Sequence, residues 1–360
     1  MRVRQGQPRL RRYRRLGSIW LRLAIVGVAV AVVALSVVVV AARHHGRAAP
    51  AAVRPPSDRS PSRPLPPLAY DSLVPARGDL FGASVEPTTY TVSGQESAFA
   101  SFEDTIGRKL AIDQLYTSWN APMPVALAGW DLRNGTIPMI SWKGASSAQI
   151  LAGTYNTQLR SQALQLKSLR GPVMLRYFAE MNNSFDAAAT GPPAEFVAAW
   201  RYIHGIFASA GATNVHWVWS PTSIGFATGD AQRFYPGDAY VNWIGADGYN
   251  WAPVLPQSTW RSFSEIFSAF YQWGEHTGKP MLIGEFGVLE GKPGAKAAWY
   301  RQADQQLRTQ FPLIRAVVYF NSDHKVFNLW FNVKVTTSAS ALAAFRAFAR
   351  DPYFSAQPPT

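Results

Sequence analysis

From about Tyr70 to its end the chain is built from eight short apolar runs separated by longer stretches of helical periodicity. The runs lie at 80–85, 110–116, 137–142, 173–178, 215–220, 243–248, 281–286 and 316–320. Their apolar character is mostly continuous, which marks strands covered on both faces, as in a parallel sheet. The clearest helical patterns between them are 148–169, 194–209, 263–277, 295–310 and 338–350. Gly211 closes one of these, and Gly278-Lys279-Pro280 follows another, residues that suit the exit from a helix. Repeated strand–helix units predict an α/β fold, and eight of them predict a (β/α)8 (TIM) barrel. A doubly wound sheet is the alternative. No Gly-rich phosphate loop opens any of the helices, which counts against a nucleotide-binding sheet.

The 13 Trp, 14 Tyr and 20 Phe are ample for a core and exclude disorder throughout. The absence of Cys excludes a disulfide scaffold, a Cys-ligated zinc and a Cys nucleophile, without fixing the compartment. The net charge of +13 suggests nucleic acid until it is divided by region. Residues 1–69 hold 13 Arg against one acid, Asp58, so the remainder carries only +1 and has no basic stripe to meet phosphates. No nucleic-acid partner is expected.

That basic segment reads better as an anchor. Residues 23–42 contain no charge and no Pro. Twenty residues of helix span about 30 Å, the thickness of a bilayer core. Eight Arg precede the run, which predicts a cytoplasmic N-terminus and an extracellular body. The domain reading is therefore a basic tail at 1–22, a transmembrane anchor at 23–42, a Pro- and Arg-rich linker at 43–69 and a barrel at 70–360. The competing reading is a cleaved signal with a small-residue site at Ala48-Ala49-Pro50-Ala51, although 20 residues is long for such a segment.

In a barrel of this kind the functional side chains stand at the C-terminal ends of the strands. Two carboxylates there stand out, Glu180 and Glu285. Strand alternation places Arg176, Phe178 and Glu180 on one face, and Asp247 with Tyr249 on one face. A guanidinium lowers a neighbouring carboxyl pKa, and an apolar, desolvated setting raises it. Both kinds of neighbour are available, so one acid is expected to keep its proton while the other is ionised. Glycoside hydrolysis requires that division of labour. Trp119, Trp142, Trp219, Tyr249 and Trp251 offer flat faces for sugar rings, with packing in the core as the competing role for each Trp.

At these residues the sequence resembles glycoside hydrolase family 26, the β-mannanase-like branch of the retaining (β/α)8 glycosidases. The stretches that carry the likeness are RYFAEMNNSF at 176–185, HWVWSPTS at 216–223, FYPGDAYVNWIGADGYNW at 234–251 and KPMLIGEFGV at 279–288. The resemblance implies Glu180 as acid/base, Glu285 as nucleophile, and Arg176 and Tyr249 as supports of the sugar at the cleavage point. Three positions depart from the family pattern: Ala179 stands where members usually have His, Phe185 where they often have Trp, and Lys143 where they commonly have His. All three shape the sugar subsites flanking the scissile bond, so mannan, mixed-linkage glucan and xylan all stay open as the polymer.

The expected activity is thus retaining endo-β-glycan hydrolysis of an extracellular polysaccharide, with no cofactor and no metal. None of the six His shows zinc-ligand spacing, and no G-x-S-x-G elbow is present. Glu86, after the first strand, is either a third pocket acid or a loop carboxylate. The alternative function is a barrel that binds a polysaccharide during export with little or no turnover, a reading prompted by Ala179.

Overall fold

The computed structural model describes residues 72–255, 258–326 and 329–357. The expected tail, anchor and linker all lie outside them. Among the described residues no helix is long and apolar enough to cross a membrane.

Eight parallel strands close a barrel in sequence order. They are β1 (Leu80–Val85), β2 (Ile112–Thr117), β3 (Ile137–Trp142), β4 (Val173–Tyr177), β5 (Val215–Trp219), β6 (Trp243–Asn250), β7 (Met281–Val288) and β8 (Ile314–Asn321). The seam runs from Leu80 opposite Ala316 to Val85 opposite Asn321. A doubly wound sheet is excluded by that closure. After β8 an antiparallel hairpin, β9 (Asp323–Val326) and β10 (Leu329–Asn332), folds back beside the barrel mouth. The sequence pattern does not announce it.

Alternation along each strand divides the side chains into two populations. Leu80, Ile112, Met139, Met174, Val218, Trp243, Leu282 and Val318 pack together as the floor of the barrel interior. Their neighbours, such as Phe81, Ile140, Tyr177, Trp217 and Phe286, join a larger layer between strands and helices. Higher in the interior the same inward parity delivers Gln114, Tyr116, Ser141, Arg176 and Asp247. The floor is therefore apolar and the mouth polar.

The helices follow the expected pattern with local corrections. Pro193–Ala210 ends on Gly211, whose φ of 73° is the left-handed conformation that glycine adopts without steric cost. Phe263–Gly274 opens with a capping box in which Ser262 and Glu265 satisfy each other's backbone groups, so Glu265 is a cap. The single helix expected over 148–169 is two, Ser147–Leu151 and Asn156–Ser168, because Gly153 turns left-handed at φ 78° between them. Two further helices, Val92–Ile106 and Val125–Arg133, have weak periodicity and fill the places after β1 and β2.

The C-terminal helix Ala339–Ala349 seals the seam. Phe345 is fully buried and meets Tyr319 of β8 at 4.6 Å and Phe81 of β1 at 5.9 Å between ring centroids. Truncating a core aromatic of this kind removes transfer energy and leaves a cavity. Phe345→Ala is expected to cost about 3–5 kcal/mol in urea unfolding while leaving the C-terminal face of the barrel unchanged.

Candidate active site

Glu285 sits at the C-terminal end of β7, where the strand is irregular. Ala246 pairs with Ile283 and Asp247 with Glu285, so Gly284 is an extra residue between the two pairs. Such a bulge re-aims the side chain that follows it. Gly284 also lies under the site, since a Cβ there would stand 2.6 Å from both Asp247 Oδ1 and Ser220 Oγ and 3.0 Å from Arg176 Nη1.

Four donors converge on the Glu285 carboxylate. Arg176 Nη2 donates to Oε1 at 2.7 Å, the Tyr116 hydroxyl at 2.7 Å and Gln114 Nε2 at 3.0 Å. The Tyr249 hydroxyl donates to Oε2. Burial, and after it the Glu285 charge, push both phenols well above the usual tyrosine range, so each stays a donor. Arg176 also donates to Asp247 Oδ2 at 2.9 Å and to the Gly284 carbonyl at 3.0 Å, and Ser220 Oγ donates to Asp247 Oδ1 at 2.8 Å. Burial opposes the guanidinium charge, but Asp247 and Glu285 outweigh it and hold Arg176 cationic beyond its ordinary range.

Glu180 has the opposite surroundings. It is 3% exposed, and its Oε2 is buried with no hydrogen-bond partner among the described residues. Burial raises its pKa well above the usual carboxyl value, and the charges of Asp247 and Glu285 add to that, against a smaller pull from Arg176. The two glutamates therefore differ in kind: one is surrounded by donors, the other is desolvated. Both line one cavity of about 630 Å³ at the barrel mouth, together with Arg176, Tyr116, Lys143 and Glu86.

The chain reaches Glu180 by a route that simple alternation does not predict. β4 ends at Tyr177, and Phe178 and Glu180 both take positive φ, 46° and 56°. These are uncommon values for side-chain-bearing residues and mark strain held by surrounding bonds. Phe178 N donates to Trp142 O and Glu180 N to Ser220 O, each at 2.8 Å, so the turn is fastened to the strands on either side. Arg176 and Glu180 meet at the cavity as expected, but through this turn and not through strand parity. Phe178 packs its ring against Tyr177 and Phe196 in the outer layer.

Comparison with known proteins agrees with this constellation. Glycosyl hydrolase family 26 matches residues 133–300, a stretch that holds Arg176, Glu180, Asp247, Tyr249 and Glu285. Endoglucanase H of Acetivibrio thermocellus is 32% identical over 265 residues, which is 70% of this chain and 29% of that protein. The chain belongs to glycosyl hydrolase family 26. It spans under a third of the length of that relative. Solved structures share the fold at low identity. A ruminal GH26 endo-β-1,4-mannanase superposes with a TM-score of 0.58 at 15% identity, covering 78% of this chain and 64% of that one. A GH26 β-mannanase from Bacteroides ovatus gives 0.56 at 13%, covering 77% and 90%.

Within this family 26 barrel the expected aromatic platforms divide. Trp219 is fully buried, and its indole N–H donates to Phe234 O at 3.1 Å. Trp119 and Trp142 stack on each other at 4.6 Å, beneath helices, at 6% and 1% exposure. These three are packing residues, because the inward parity of Ser141 and Val218 turns Trp142 and Trp219 outward. Trp142 only borders the cavity wall. Trp251 stacks on Tyr249 at 4.3 Å and so backs a donor to Glu285. Phe185 lies exposed on the short turn Ser184–Asp186 beyond Glu180. Gln114 and Tyr116 are site residues outside the quoted motifs, and Ser220 lies inside one, HWVWSPTS, without having been given a part in the site. The sign of the first two is polar side chains recurring every second residue in an apolar strand.

Glu86 accepts from Asp323 N at 2.9 Å and from Ser322 Oγ at 3.2 Å, which makes it a pocket residue tied to the hairpin after β8. Ser322 Oγ is also 3.3 Å from His324 Nδ1, and burial lowers the His324 pKa. Among the described residues no group of three or more His, Asp or Glu is placed to hold a metal ion.

The central cation generates a stability prediction. Arg176→Met leaves Asp247 and Glu285 buried without their cation, which is expected to cost about 3–5 kcal/mol at neutral pH in urea unfolding. The sign with pH follows from Asp247, whose pKa burial raises and Arg176 lowers: without the cation Asp247 takes up its proton more readily as pH falls, so the deficit shrinks in acid. A deficit that does not depend on pH would contradict the assignment of Arg176 as their counter-charge.

Proposed function

We propose that the chain is a retaining endo-β-glycanase, with Glu285 as nucleophile and Glu180 as general acid and base. The observation that carries this reading is the contrast between two carboxyl groups on one cavity wall. One is met by four donors, and the other is desolvated and proton-retaining. That contrast suits the first half of a double displacement. A Glu285 oxygen forms a bond to the anomeric carbon as the bond from that carbon to the leaving oxygen breaks, and Glu180 gives its proton to the leaving oxygen. Water then attacks the anomeric carbon, Glu180 takes a proton from it, and the Glu285 carboxylate departs. Oε2 of Glu285, which among the described residues accepts from Tyr249 alone, is the less committed oxygen and the one suited to bond formation.

Family membership supports hydrolysis of a polysaccharide. The polymer class is left to experiment, because the names of the relatives divide between an endoglucanase and mannanases. The chain is further proposed to sit in the cell membrane by a single span at 23–42 with the barrel outside, on the strength of the uncharged run and the eight Arg before it. The full chain should then sediment with membranes, and a chain starting near residue 70 should not. Equal partition of the two would remove the anchor.

The catalytic reading is tested on mannan, mixed-linkage glucan and xylan. Glu285→Gln is expected to lower kcat on the order of 10³-fold or more on whichever polymer is cut. Early products should keep the β anomer by proton NMR. The alkaline limb of kcat/KM should report loss of the Glu180 proton, so activity falls as pH rises through its elevated pKa. A folded protein that binds a glycan equally well with Glu285→Gln and turns over none of the three would favour the export barrel instead.

A further inference from the structure

The turn that carries Glu180 is held by a second contact, from the loop after β3. Lys143 is the first residue beyond β3, its amide continuing the ladder to Thr117 O at 2.9 Å. Its Nζ reaches across to Asp186 Oδ1 at 2.7 Å and lies 5.4 Å from the centroid of the Phe178 ring. The next residue is Gly144, where a Cβ would collide with that same ring. Lys143 and Gly144 therefore seat Phe178, the residue that opens the left-handed turn.

Asp186 is coupled to Glu180 through the backbone. Asn183 N donates to Glu180 O at 2.8 Å, and Asp186 N donates to Asn183 O at 3.1 Å. The Asp186 carboxylate thus holds a set position relative to Glu180. Burial and the charges of Asp247 and Glu285 dominate the surroundings of Glu180, Arg176 opposes them, and Asp186 adds a further negative charge from the turn itself. Lys143 meets that last charge on a side chain one-third exposed, with Asp186 less exposed than its partner.

We propose that Lys143 is a positioning residue for the acid/base. It clamps the Phe178–Glu180 turn against β3 and, by neutralising Asp186, limits how firmly Glu180 holds its proton. The inference deepens the reading of Glu180 as acid/base, and its test does not depend on turnover. The other charged groups facing Glu180 come from β4 (Arg176), β6 (Asp247) and β7 (Glu285), and none of them changes in the variants used.

The experiment is a carbon-13 NMR titration of the full chain labelled at the glutamate carboxyl carbon, with Glu180→Gln identifying the resonance. Lys143→Met leaves Asp186 uncompensated, so the Glu180 midpoint should rise by about half a pH unit or more. Lys143→Met combined with Asp186→Asn should return the midpoint close to the unaltered protein. Lys143→Arg should leave it in place. A Lys143→Met titration that superimposes on the unaltered one overturns the proposal, as does an upward shift that persists in the double variant. A shift of the expected kind in a chain that cleaves none of the three glycans upholds the role of Lys143 and removes the glycanase reading instead.

Discussion

One guanidinium organises the mouth of this barrel. Arg176 rises from β4 and spends Nη2 on both Asp247 and Glu285 and Nη1 on the Gly284 carbonyl, tying β4 to β6 and β7 at the level of the pocket. A buried ion cluster of this kind is weak evidence for stability, because desolvation offsets most of the attraction. Its worth lies in geometry. A forked, rigid donor holds two carboxylates at set angles, which a lysine at the same position would not do.

Two backbone irregularities deliver the carboxyl groups to that frame. Gly284 is an extra residue in β7 that turns Glu285 toward the donors. The left-handed pair Phe178 and Glu180 ends β4 and brings Glu180 back over the same cavity. Regular strand geometry alone would not bring these two carboxyls together in this way. The strain is held by flanking bonds, Phe178 N to β3 and Glu180 N to the Ser220 carbonyl, so the cost is carried by the rigid barrel and not by the reacting groups. This is why Gly144 and Gly284, neither of which reacts, are as constrained as the residues that do: each lies where a methyl group would strike a side chain of the site.

The strands were legible in the sequence because a parallel strand buried on both faces is a continuous apolar run, too short for a buried helix, that recurs here between longer stretches of helical period. Six of the eight expected runs, those starting at 80, 137, 173, 215, 243 and 281, begin where the strands begin, and the barrel follows from the number of runs. The helices Val92–Ile106 and Val125–Arg133 were hidden for different reasons: few apolar residues mark the inner face of the first, Phe99, Phe102 and Ile106, and the second is nine residues long with apolar residues on every side. Glu180, Glu285, Arg176, Asp247 and Tyr249 were legible as polar residues at strand ends, and the structure brings them to one cavity or to its immediate supports. The tryptophans misled. Their size and place at strand ends suit sugar stacking, yet parity had already decided the matter: if Ser141 and Val218 face inward, Trp142 and Trp219 face the helices.

The same parity explains why the polar mouth can exist without weakening the barrel. Several inward columns are apolar at the floor and polar above it, as in Ile112, Gln114, Tyr116 along β2 and Met174, Arg176 along β4. The polar groups are buried, and a buried donor or acceptor left unpaired is costly. Most are paired within the network around Glu285. Glu180 Oε2 and Gln114 Oε1 are the acceptors lining the cavity that are left over among the described residues. The satisfied donors of Arg176, Tyr116, Gln114 and Tyr249 hold Glu285 in place, while Glu180, whose Oε2 has no such partner among the described residues, keeps the desolvated setting that the proposed proton transfer needs.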